Sequence, residues 1–149
     1  MPLGGMSIPK ILIIEDDQAI RTLIVNALKR EPLFVDTAAD GIEALDKIRQ
    51  SRYGVILVDL MMPRMNGIDF IAAYSALPHA DAVVIVTTAF DANAVRRLAP
   101  DIADRVHAII HKPFDIGWIV DLLRECAWGK SRSVPDRMRN DGPRDDLAR

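Results

Sequence analysis

Cysteine is nearly missing from this chain: Cys126 is the only one among 149 residues. A lone thiol excludes an intramolecular disulfide and a cysteine-rich zinc site, and such usage fits a reducing compartment, so the cytoplasm is the expected location. An excess of either charge is missing too. Nineteen lysines and arginines face 21 aspartates and glutamates, for a formal net charge of −2, so bulk electrostatics give no reason to expect a nucleic acid or an anionic membrane as partner. No apolar run approaches the roughly 18 residues of a membrane span, and Met1–Lys10 lacks the charged start and long apolar stretch of a secretion signal. Gly129, Lys130 and Ser131 imitate the end of a nucleotide-binding loop, but Arg124 stands where its first glycine belongs and no strand precedes it. His79, His107 and His111 are scattered, with no third ligand at metal-binding spacing. The length accommodates one ordinary domain and leaves no room for a full-sized second one.

Half the residues are hydrophobic and 27% are charged, the composition of a folded globular chain. Residues 1–8 form a Gly/Pro-containing leader, expected to be flexible. The following segments alternate between short apolar runs and amphipathic stretches. Ile11–Ile14 is a continuous β-branched-rich run that stops at Glu15, Asp16 and Asp17, as a strand buried on both faces would. From Gln18 to Arg30 the apolar residues Ile20, Leu23, Ile24, Ala27 and Leu28 recur at helical spacing, and Pro32 ends the pattern. A weaker strand over Leu33–Thr37 precedes Asp40, Gly41 and a helix carrying Ile42, Ala44, Leu45 and Ile48. Val55–Leu60 is a third strand with Asp59 just inside its end. Pro63, Asn66 and Gly67 mark a loop before a helix over Ile68–Leu77. Val83–Val86 is a fourth strand running into Thr87 and Thr88. A helix over Asp91–Leu98 is interrupted by Pro100, Val106–Ile110 is a fifth strand leading to His111, Lys112, Pro113 and Phe114, and a last helix covers Asp115–Cys126. From Trp128 onward the charges are mixed, apolar residues are few and no periodicity remains, so 128–149 is expected to be a disordered tail.

Five strands alternating with five helices predict an α/β fold, a parallel sheet covered on both faces. Ligands of such sheets sit beyond the carboxyl ends of the strands. That rule selects Glu15, Asp16, Asp59, Thr88 and Lys112: three carboxylates, a hydroxyl and an ammonium. Close carboxylates repel one another unless a cation neutralises them, and an all-oxygen set suits Mg²⁺. A metal-assisted carboxylate such as Asp59 can act as a nucleophile toward a phosphoryl donor. Each residue alone has a plainer reading. Asp17 is a helix cap, Thr88 an ordinary strand end and Lys112 a solvated charge. Asp59 differs, because a carboxylate closing the run Val55–Val58 would be costly to desolvate without a partner.

The motifs ILIIEDD, ILVDLMMPRMNG, VIVTTAF and HKPF, in that order, resemble the receiver domain of two-component response regulators, of the chemotaxis-receiver-like type. The resemblance covers residues 9–127. It implies a doubly wound, flavodoxin-like sheet of order 2-1-3-4-5. It also implies that Asp59 is the phosphoacceptor, that Glu15, Asp16, Asp59 and the backbone carbonyl of Met61 hold Mg²⁺, and that Thr88 and Lys112 engage the phosphoryl group. The Lys112–Pro113 bond is expected to be cis. The donor would be a sensor histidine kinase or a histidine phosphotransfer protein, the output a protein target, and the chain a phosphoacceptor switch rather than an enzyme in its own right. Two departures stand out: Ile109 occupies a position where the family usually carries an aromatic residue, and the stretch between Ala89 and Lys112, with Pro100, is slightly long. Met61 and Phe90, at positions that influence hydrolysis in the family, are apolar, which predicts a long-lived phosphorylated state. Other readings remain open: a receiver-like scaffold that is never phosphorylated, with a dimer as one working form, or a haloacid-dehalogenase-type phosphatase, whose DxDx motif Glu15-Asp16-Asp17 does not supply.

Overall fold

A computed structural model of the chain describes residues 7–129. Most of the expected leader, and the expected tail beyond Gly129, lie outside the described residues. Eleven elements follow in order: β1 (Lys10–Ile14), α1 (Gln18–Leu28), β2 (Phe34–Ala38), α2 (Gly41–Gln50), β3 (Val55–Asp59), α3 (Gly67–Ser75), β4 (Val83–Thr88), α4 (Ala92–Leu98), α5 (Pro100–Ala103), β5 (Ala108–His111) and α6 (Ile116–Trp128). The strands form one parallel sheet of order β2-β1-β3-β4-β5, the expected doubly wound arrangement. None of the described helices is long and apolar enough to cross a membrane.

The uninterrupted apolar strands are explained by where their side chains go. Successive residues of a strand point to opposite faces, so Leu12, Ile14, Ile56, Val58 and Val86 enter one core with Phe70, Ile71 and Val95, beneath α2, α3 and α4. Ile11, Ile13, Val55, Leu57, Ile85 and Ile110 enter the other with Ile24, Leu28, Ile119 and Leu123 of α1 and α6. Only β2, at the sheet edge, alternates exposed and partly buried residues, which is why its sequence signal is the weakest.

Every described helix except α5 starts at an Asp or Asn whose side chain accepts backbone N–H groups, Asp17 of α1 among them. Such caps satisfy donors that the first helical turn leaves open. The described residues form six helices where the periodicity predicts five. Proline disfavours the helical conformation in the residue before it, and Ala99 accordingly leaves the helix (φ −145°, ψ 66°), so that Pro100 opens a separate short helix. Helix α6 runs through Trp128 and ends at Gly129, whose φ of 67° is the left-handed cap conformation that glycine adopts readily.

Candidate active site

Strand register assembles the site. Ile14 pairs with Val58, so the next residue of each strand, Glu15 and Asp59, stand level at the carboxyl end of the sheet. Asp59 pairs with Thr87 and Thr88 with His111, which places Thr88 and then Lys112 one step beyond on the neighbouring strands. Residues remote in the chain therefore meet only because the sheet forms.

Glu15, Asp59 and Thr88 are buried, at 3%, 4% and 0% exposure, while Asp16 faces solvent. The Lys112 ammonium sits between the two buried carboxylates, 3.0 Å from Glu15 Oε1 and 3.0 Å from Asp59 Oδ2. The second oxygen of Asp59 accepts from the backbone N–H of Met61 at 3.0 Å. Thr88 Oγ1 accepts from the Phe90 N–H at 3.0 Å, and the Thr88 carbonyl accepts from the Lys112 N–H at 2.8 Å. The Glu15 carbonyl accepts from Arg21 Nη1 at 2.7 Å. The Lys112–Pro113 peptide is cis, as the resemblance implies.

The loop after Asp59 returns through Gly67, which donates to the Leu60 carbonyl at 3.0 Å. A Cβ on Gly67 would lie 2.6 Å from the Asp59 carbonyl, so this close backbone approach requires glycine. Met62 and Met65 pack partly buried against the core, whereas Met61 and Phe90 are exposed beside the pocket.

The electrostatics are those of an overloaded acidic pocket. Burial pushes Glu15 up to about 7, the neighbouring Asp59 adds to the shift, and Lys112 opposes it. Burial alone would pull the Lys112 ammonium down, but its hydrogen bonds to Glu15 and Asp59 outweigh that and raise it. Carboxylate oxygens of Glu15, Asp16 and Asp59 lie within 4.8 Å of one another, the only acidic, histidine or cysteine grouping of this kind among the described residues. An all-oxygen donor set with more negative charge than Lys112 balances fits a hard divalent cation. The structure thus brings together Glu15, Asp16, Asp59 and Lys112, strand register sets Thr88 at the same end of the sheet, and Met61 follows in the loop after Asp59. Sequence reasoning missed Arg21, which holds the Glu15 carbonyl, and a second pair, Asp40 and Arg64. Arg64 carried no signal, since an arginine in a turn is ordinarily a solvated charge.

The model of the response regulator receiver domain matches residues 11–124. Among curated proteins, sporulation initiation phosphotransferase F of Bacillus subtilis is 29% identical over 118 residues, 78% of this chain and 91% of that protein. The response regulator MprA of a Mycobacterium species is 33% identical over 127 residues, 85% of this chain but 53% of its own length, so this chain spans about half of such longer regulators. Among solved structures, the phosphorylated cyanobacterial phytochrome response regulator RcpA superposes with a TM-score of 0.70 at 25% identity, covering 87% of this chain and all of that one.

Proposed function

We propose, since this chain belongs to the response regulator receiver domain family of two-component systems, that it is a phosphorylatable switch whose acceptor is Asp59. The observation that carries the reading is the convergence of Glu15, Asp16 and Asp59 with the Lys112 ammonium bridging the two buried carboxylates. An Asp59 carboxylate oxygen attacks the phosphorus of a phosphohistidine on a sensor kinase or phosphotransfer protein. The new P–O bond forms as the P–N bond breaks, and the imidazole leaves as the neutral base after taking up a proton. Glu15, Asp16, Asp59 and the Met61 carbonyl would hold Mg²⁺, which when bound neutralises negative charge on the transferring group. Lys112 exchanges its contact with Asp59 for one with a phosphoryl oxygen. Thr88 only accepts in its bond from Phe90, so its hydroxyl hydrogen is available to donate to another phosphoryl oxygen.

The pull on Thr88 is transmitted to Phe90 through their hydrogen bond. Phe90 borders an apolar groove of about 230 Å³ with Met61, Met62, Val95 and Leu98, and Leu98 is 77% exposed. A change there alters affinity for a protein output target. Ile20, Leu23, Pro113, Phe114 and Ile116 line a second, apolar groove of about 400 Å³ together with Lys112, a surface suited to the apolar face of a donor helix. Ile109 is buried in the core, so the signal runs through the Thr88–Phe90 loop rather than through an aromatic ring at position 109. Met61 and Phe90 offer no polar side chain to position an attacking water, which supports a long-lived phosphorylated state. We place this switch in the cytoplasm, where a kinase domain supplies the donor.

The test is incubation with acetyl phosphate and Mg²⁺ followed by intact-protein mass spectrometry. The expected result is the gain of one phosphoryl group, absent in Asp59→Asn. No gain with acetyl phosphate or with a phosphorylated histidine donor would leave the scaffold reading in its place.

A further inference from the structure

Asp40 is 2% exposed, yet it lies outside the acidic pocket and the proposed reaction does not use it. Its Oδ1 accepts from the Glu43 N–H at 2.9 Å and caps α2, and its Oδ2 is paired with Arg64. Arg64 is the only described non-glycine residue at positive φ, 63°, a conformation L-residues adopt at an energetic cost. A surface arginine is not expected there unless something holds it. The surroundings of the pair form a continuous tie. The Gly41 N–H donates to the Met65 carbonyl at 3.3 Å, and Gly41 lies so close to Met65 that a Cβ would meet its Cγ at 2.7 Å. Two residues before Asp40, the Ala38 carbonyl accepts from the Glu15 N–H at 3.0 Å. Three residues before Arg64 is Met61, whose N–H holds Asp59.

From this geometry we infer that Asp40 and Arg64 are positioning residues that fasten the Glu15 wall of the acidic pocket to the Asp59–Met61 wall. Resting on the phosphoacceptor reading above, the inference adds the device that keeps the pocket's two sides at cation-binding distance. The tie runs from Glu15 through Ala38 to Asp40, across the ion pair to Arg64, and back along the loop to Met61 and Asp59. The strained arginine carries the charge that completes this ring. Glycine at 64 would relieve the backbone but break the tie.

The test uses the full chain with Arg64→Gly, Arg64→Lys and Asp40→Asn, each verified as folded by circular dichroism at the working temperature. In Arg64→Gly the Mg²⁺ dissociation constant, measured by calorimetry, is expected to rise roughly tenfold. Without any metal, hydrogen exchange at the Gly41 amide is expected to accelerate while core amides of β3 stay protected. Arg64→Lys, which keeps the charge, restores most of the Mg²⁺ affinity, and combining Arg64→Gly with Asp40→Asn costs no more than either alone. Wild-type Mg²⁺ affinity and unchanged Gly41 exchange in folded Arg64→Gly overturn the tie and leave the phosphoacceptor reading intact. A wild-type protein that binds no Mg²⁺ overturns both.

Discussion

Asp40 and Glu15 are equally hidden from water, at 2% and 3% exposure, and their carboxyls titrate in opposite directions. The backbone N–H of Glu43 lowers Asp40, with burial opposing and Arg64 assisting. Burial raises Glu15 to about 7, with Asp59 assisting and Lys112 opposing. Desolvation acts on both, so the sign is decided by the partners each finds. Asp40 has a donor for one oxygen and a cation for the other, and is a finished structural site. Glu15 shares a single ammonium with a second buried carboxylate, and its corner of the molecule is complete only when more positive charge arrives.

The largest way to break this contrast is to remove the shared ammonium. Lys112→Ala leaves Glu15 and Asp59 buried together with no cation, and the metal-free protein is expected to lose about 3 kcal/mol at pH 8 in urea unfolding. The loss shrinks at pH 5, where Glu15 takes up a proton instead. Equal stability of the variant and the wild type at pH 8 would mean that the pocket is not overloaded.

Glu15→Gln acts in the opposite direction. A carboxyl raised in the folded state binds a proton that the unfolded chain has released, so its favourable contribution is full below about pH 4.5 and lost as pH rises through about 7. The metal-free variant is therefore expected to be more stable than wild type by about 1–2 kcal/mol at pH 8, after discounting for water that reaches the pocket beside exposed Asp16. At pH 4 the advantage vanishes. Added Mg²⁺ reverses the order, because a cation that binds only the folded form stabilises the protein that binds it. Melting temperatures with and without Mg²⁺ at both pH values check this, and a variant that never exceeds the wild type would sink the account.

How visible these features were in the sequence depends on whether chain-local chemistry or sheet register creates them. The buried strands could be read because both of their faces are covered, so Ile11–Ile14 and Val55–Val58 are unbroken apolar runs. Asp59 was conspicuous as a charge closing such a run, and the strand-end rule gathered Glu15, Asp16, Thr88 and Lys112 around it. The unequal burial of Glu15 and Asp16 was not legible, since adjacent acidic residues look alike until the strand direction turns one inward. The α4–α5 break was announced by Pro100 only as an interruption. The Asp40–Arg64 pair left no trace, because 24 positions separate its members and each has an ordinary local explanation, a cap and a turn.

Asp40→Asn sharpens the comparison with a smaller effect. The amide oxygen still accepts from Glu43, but without the negative charge, so the change weakens that bond and removes the attraction to Arg64. Arg64 is 69% exposed, and water screening limits the expected loss to below about 1 kcal/mol at pH 7. The sign with pH is opposite to that of Glu15. A carboxyl held below 3.8 contributes stability above that value and loses it as pH falls, so the variant and the wild type converge as pH drops below 3.8. Two unfolding series against pH, one for each carboxyl, should slope in opposite directions through the acidic range, and parallel slopes would refute the comparison.

The smallest effect is expected where a charged group has equally close partners but less burial: the Arg124 side chain is 38% exposed against 21% for Lys112. Arg124 bonds Glu31 and Asp121 at 3.0 Å each, the same distance at which Lys112 holds its two carboxylates. Distance alone would rank the two triads equally. Hydrogen bonding to Glu31 raises Arg124, but its guanidinium already carries its full charge across the physiological range, so the shift has no titration to act on. Water and salt also reach the half-buried Arg124 group and the exposed Asp121 beside it and weaken their attraction, whereas the carboxylates that Lys112 holds are buried. Arg124→Ala should therefore change the melting temperature only slightly at low ionic strength and not at all in molar salt, while the Lys112→Ala deficit persists in both. If salt erased the two deficits alike, burial would not be what separates the pocket from the surface.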